Sequence, residues 1–133
     1  MLDVLLTALS VPLLSMTSGA CAAPTISTAV ATQLGSNGDL TTYDVAITVK
    51  NTGASEPSSL LQSVQVFQDA TKVDKKGTPP LPSGGSATVH YRLQRSAEAR
   101  PGTTHLRFSL VLHDPHSAIA ECTGTNTTYR INV

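Results

Sequence analysis

Tyr43-Asp44-Val45-Ala46-Ile47-Thr48-Val49-Lys50 sets the fold class. Tyr43, Val45, Ile47 and Val49 fall on one side of an extended chain, while Asp44, Thr48 and Lys50 fall on the other. That period of two is the signature of a strand with one buried face. Asn51-Thr52-Gly53 follows, and its residues tolerate positive φ, so the strand is expected to end there. The same alternation recurs in Ala87-Thr88-Val89-His90-Tyr91-Arg92-Leu93 and in Leu106-Arg107-Phe108-Ser109-Leu110-Val111-Leu112. Mid-strand placement predicts that Ile47, Val89, Phe108 and Leu110 are buried.

Shorter strands are read at Ile26 to Gln33, Ser63 to Gln68, Thr71 to Val73 and Thr128 to Val133. Turn clusters separate them: Gly35-Ser36-Asn37-Gly38-Asp39, Lys75-Lys76-Gly77-Thr78-Pro79-Pro80, Pro82-Ser83-Gly84-Gly85, Arg100-Pro101-Gly102 and Asp114-Pro115. Beyond the first twenty residues, no stretch repeats apolar residues at helical spacing over three turns. About seven short strands with breaks at regular intervals predict an all-β chain, an antiparallel sandwich of immunoglobulin type. The Trp that marks antibody domains is absent, so the prediction concerns architecture alone.

Composition fits a single domain. The chain has 133 residues, nine basic against nine acidic, 14% charged and 40% hydrophobic. Ser and Thr supply the polarity instead. Zero net charge offers no field for nucleic acid or an anionic membrane, and neither is expected as a partner.

Val4 to Met16 is an uncharged run too short to cross a membrane. Small residues, Thr17-Ser18-Gly19-Ala20, follow it, so residues 1–20 read as a secretory signal and 21–133 as the mature domain. The n-region departs from the pattern, carrying Asp3 and no basic residue. Cleavage after Ala20 keeps Cys21, whereas cleavage after Ala22 discards it. A lipoprotein would acylate it, but Ser18 stands where the lipobox has Leu. If Cys21 stays, export places it with Cys122 in an oxidising compartment, where a disulfide between them is expected.

The order of motifs resembles the CARDB domain, the cell-adhesion-related domain found in bacteria. Asn51-Thr52-Gly53 closes a strand, and Leu81-Pro82-Ser83-Gly84-Gly85-Ser86 leads into another. Leu112-His113-Asp114-Pro115, then Ala118-Ile119-Ala120-Glu121 and Asn126, follow the last long strand. The resemblance spans roughly Thr25 to Val133. Departures are His113 directly before Asp114, Cys122 at a usually polar place, and Thr127 for a second Asn. The resemblance implies a seven-stranded extracellular module, used in adhesion, spacing or ligand presentation and here expected to stand alone.

Chemistry-bearing residues are sparse. His113, Asp114, His116 and Glu121 share one loop and form a weak candidate set for a divalent cation. The competing reading is a turn in which the Asp side chain caps its own backbone. No nucleophile motif, zinc motif or phosphate loop is present, and no cofactor is expected. Asn126-Thr127-Thr128 is a formal sequon. Phe67 falls out of phase with Val64 and Val66, which makes it the one aromatic expected at the surface. The expected function is a secreted, non-catalytic module contacting a protein or cell-surface partner through loops or sheet edges. The competing expectation is a small hydrolase or metal-binding protein using His113, Asp114 and His116.

Overall fold

The computed structural model describes residues 21–116, 119–122 and 124–133. The expected signal, residues 1–20, lies outside them, as does Ala118 of the CARDB-like motif. Seven strands follow one another: β1 (Pro24–Asn37), β2 (Leu40–Asn51), β3 (Leu61–Gln68), β4 (Thr71–Thr78), β5 (Ser86–Ser96), β6 (His105–His113) and β7 (Thr128–Asn132). No helix occurs among the described residues. The strands form two antiparallel sheets, one ordered β1-β2-β5 and the other β4-β3-β6-β7.

The alternating stretches bury the faces they were expected to bury. Val45, Ile47 and Val49 of β2 are fully enclosed, joined by Ile26 of β1 and Leu93 of β5. Val64, Val66, Leu106, Phe108 and Leu110 face them from the other sheet. Burial of each large side chain contributes roughly 1.5–3 kcal/mol, and this interior is what joins the sheets. Val89 is the exception among the four residues expected to be buried. It packs on the core but stays half-exposed, because β5 is an edge strand of its sheet.

Two turn assignments change. Gly35, Ser36 and Asn37 belong to β1, and the β1–β2 hairpin turns on Gly38 and Asp39 alone, with Gly38 at φ 63°. Lys75-Lys76-Gly77-Thr78 is the second half of β4, whereas a turn was expected there. The strand was hidden because β4 is a charged edge: Lys72, Val73, Lys75 and Gly77 are exposed, and Lys76 pairs with Asp74 at 3.2 Å. Charge on an edge strand discourages pairing with foreign strands, at the cost of a clear apolar pattern. The β3–β4 hairpin turns on Asp69 and Ala70, both at positive φ (49° and 74°). Asp tolerates that region, while Ala there is strained.

Candidate functional site

One pole of the sandwich is knitted by long-range bonds, and Asn51 is its centre. β2 ends at Asn51-Thr52-Gly53 as expected, but Asn51 does not take up the positive φ it tolerates. It is the last residue of the strand, outside the positive-φ region and fully buried. Its Oδ1 accepts from the backbone N–H of Ala23 (2.9 Å) and of Gly53 (3.1 Å). Its Nδ2 donates to the carbonyls of Ala54 (2.7 Å) and Leu81 (3.2 Å). Its backbone bonds Gly84 and Gly85, so one residue ties the chain's entry, its own turn and the β4–β5 loop. Gly53 is required by close approach, since a Cβ there would run into the carbonyl oxygen of Cys21.

Cys21 and Cys122 are joined by a disulfide at this pole, with Cα atoms 5.0 Å apart. Backbone bonds flank it: Ala22 N–H donates to Ala120 O and Cys122 N–H to Ala22 O, both at 2.7 Å. Ala22 and Ala23 are buried, so the segment after Ala20 is part of the folded structure.

Glu56 is a buried acid that the sequence did not single out. Its Oε1 accepts from Leu81 N–H at 2.7 Å, and its own N–H donates to Leu81 O at 2.9 Å. Burial pushes its carboxyl above the ordinary range. The Leu81 N–H and the Gln62 side chain pull it partly back, and nearby Glu121 pushes it up again. With Gln62 Nε2 on the Thr78 hydroxyl (2.8 Å), Glu56 Oε2 and Gln62 Oε1 both lack partners. The opposite amide orientation satisfies both, Nε2 donating to Glu56 and Oε1 accepting from Thr78.

The four residues considered for a cation take separate roles. Asp114 Oδ1 accepts from Ser59 Oγ (2.8 Å) and from His116 N–H (3.1 Å), a turn capped by its own aspartate. His113 ends β6, exposed and in register with Leu61 on β3. Glu121 bridges to Ala22 and faces Glu56. Among the described residues no three His, Cys, Asp or Glu side chains gather as a metal site.

What the molecule offers instead is surface. A cleft of about 660 Å³ opens on the four-stranded sheet, where Leu61, Ser63, Gly77, Val111 and His113 line it. Phe67 is half-exposed as expected, with the Arg107 guanidinium over its ring at 4.0 Å. On the other sheet β1 is an edge strand whose fourteen residues, PTISTAVATQLGSN, carry no charge. Val30 (56%) and Leu34 (53%) are among the most exposed large apolar residues of the molecule. Neither surface was recognised in the sequence, because both depend on which strands become edges and which rows align.

Among solved structures, the chain is similar to the CARDB domain of a Pyrococcus furiosus protein, in a crystal structure in complex with di-metal ions. Identity is 15% and the TM-score 0.57, covering 86% of this chain and 93% of that one. The solution NMR structure of the same domain matches with 17% identity and a TM-score of 0.56, covering 85% and 94%. No family model and no curated protein matches the sequence. At these identities the likeness is one of architecture: the chain folds as a CARDB-like, immunoglobulin-type β-sandwich.

Proposed function

We propose that residues 1–20 are a secretory signal and that residues 21–133 are an exported, non-catalytic binding module of adhesion type. It engages a protein or cell-surface partner by adding that partner's strand to the edge of β1. The observation that carries this reading is the uncharged β1 edge with Val30 and Leu34 exposed. Natural edge strands are usually guarded by Lys, Pro, inward charges or bulges. β1 has Pro24 and two bulges but none of these from Thr28 to Gln33, where free backbone groups invite a partner strand. β-bulges near Ile26 and Gln33 bound the segment, leaving Thr28–Gln33 in regular register with β2 between them. The Cys21–Cys122 disulfide supports export, because such bonds persist in oxidising compartments. It also engages the Cys21 sulfur that lipid anchoring would need. The likeness to an adhesion-related domain supports the non-catalytic reading, as does the use of Asp114 as a turn cap.

The test compares cell retention of the purified mature protein with that of a Val30→Lys, Leu34→Lys variant on the producing cells. Retention lost with an unchanged melting temperature is the expected result. Equal retention overturns the β1 reading. Hydrolysis of ester or peptide substrates that disappears on replacing His113 or His116 overturns the non-catalytic one.

A further inference from the structure

The outer face of the four-stranded sheet carries charges arranged in a way that its own folding does not call for. Lys72 on β4 is in register with Phe67 on β3, Phe67 with Arg107 on β6, and Arg107 with Arg130 on β7. A single row therefore crosses all four strands, reading cation, aromatic, cation, cation. Arg107 and Arg130 stand directly opposite each other, and like charges in that relation destabilise a sheet. Among the described residues none of these three cations has an ion-pair partner.

Arg95 and Lys76 are engaged within the fold. Arg95 donates to Val133 O, Arg100 O and the Tyr43 hydroxyl, and Lys76 pairs with Asp74. Arg92 lies on the opposite sheet, in register with Asp44, whose carboxylate is held by His90 at 3.0 Å. The row differs from these in aligning three cations without an acid among them. Phe67 holds Arg107 by a cation–π contact, which fixes the guanidinium without neutralising it.

We propose that this row is a binding site for an acidic polysaccharide. Neighbouring strands are about 4.8 Å apart, so the row presents three cations over roughly 15 Å, a spacing suited to a polymer with repeated anionic groups. Arginine recognises planar carboxylates, and sulfates, through two parallel hydrogen bonds. A cleft of about 340 Å³ at this end of the sheet is lined by Phe67, Arg107, Arg130, His105, Asn132 and Asp69. Gln65, Ser109 and Thr128 stand in the next outward row. Cations and hydrogen-bonding side chains together match a sugar ring bearing an acid and hydroxyls. An acidic peptide would use the charges and leave the hydroxyl-binding side chains Gln65, Ser109, Thr128 and Asn132 idle. The row lies on the sheet that does not contain β1, so this site is independent of the strand-addition reading.

Equilibrium binding of the full mature chain, disulfide intact, to polygalacturonate and to heparin tests the proposal. Polyglutamate, single-stranded DNA and neutral dextran serve as comparisons. The expected result is binding to at least one of the two polysaccharides that weakens with salt, with no binding to dextran. Arg107→Gln and Arg130→Gln should each reduce affinity about tenfold, and Phe67→Ala, which frees the Arg107 guanidinium, should reduce it as well. Arg92→Gln, on the other sheet, should leave it unchanged. Without ligand, Arg130→Gln should raise the melting temperature, because the opposed arginines no longer repel. Absence of polysaccharide binding overturns the proposal. So does polyglutamate or DNA binding of equal strength, or loss of binding in Arg92→Gln to the same extent.

Discussion

Replacing Asn51 by Ala removes a side chain that no neighbouring group can substitute. The N–H groups of Ala23 and Gly53 lose their shared acceptor, and the carbonyls of Ala54 and Leu81 lose a donor. Leaving a buried polar group unmade costs about 1–3 kcal/mol, and a carbonyl with a second partner or partial access to water suffers less. Counting the two N–H groups in full and the carbonyls lightly gives a loss of about 3–5 kcal/mol, a large share of the ~5–15 kcal/mol available to a domain. Urea denaturation is the suitable assay. With a slope near ~1.5 kcal/mol/M, the midpoint should fall by about 2–3 M. Asn51→Asp separates the two halves of the effect. It keeps an acceptor for Ala23 and Gly53 but turns a second carboxylate oxygen towards the Ala54 and Leu81 carbonyls. This variant should recover stability as pH falls and the carboxyl acquires a proton to donate. A loss below about 1 kcal/mol in Asn51→Ala, with the slope unchanged, would refute the view that this residue organises the pole.

Three further outcomes follow from the same packing. Replacing both Cys21 and Cys122 by Ser opens a loop closed across 101 positions, which the chain-entropy relation values at about 4.7 kcal/mol, or roughly 20 °C in melting temperature by calorimetry. Phe108→Ala should cost about 3–5 kcal/mol in the same denaturation assay, since Phe108 is wholly buried at the centre of the four-stranded sheet. Glu56 has its folded-state pKa raised, so its folded form favours the proton more than its unfolded form does. The stability it contributes is full below the unfolded pKa and is lost as pH rises through the folded one. Glu56→Gln should therefore flatten the pH–stability curve across that interval, and an unchanged slope would show that the carboxyl titrates as if exposed.

The strands legible in the sequence were those with one face dry and the other wet. β2, β5 and β6 alternate because each packs one side on the core between the sheets, β5 doing so even as an edge strand. Phe67 was legible for the same reason, its phase placing it opposite Val64 and Val66. β4 was not, because an edge strand guarded by lysines has no apolar face to announce it. Cysteine pairing followed from compartment logic. Asn51 was misread because a local preference, tolerance of positive φ, was invoked where the residue acts through contacts far along the chain. The cation row was invisible for a related reason: Lys72, Arg107 and Arg130 become neighbours only through strand register, which no local pattern encodes.

The disulfide also decides how the module transmits force. Cys21 lies at the Asn51 pole, whereas Val133 is bonded to Thr104 and Arg95 at the pole where β2 begins. A load applied between residues 21 and 133 therefore acts along the length of the strands. With the sulfurs joined, that load passes from Cys21 straight to Cys122 and then along β7, bypassing β1 to β6. Eleven residues at full extension reach only about 37 Å, close to the roughly 40 Å that twelve residues of β2 already span. Peeling β7 away lengthens the tether hardly at all, and the enclosed loop carries no tension. Reduced, the same chain lengthens by roughly 340 Å when it unravels, to a contour of about 380 Å. Oxidation thus makes a nearly inextensible link of a domain that would otherwise yield by its whole contour.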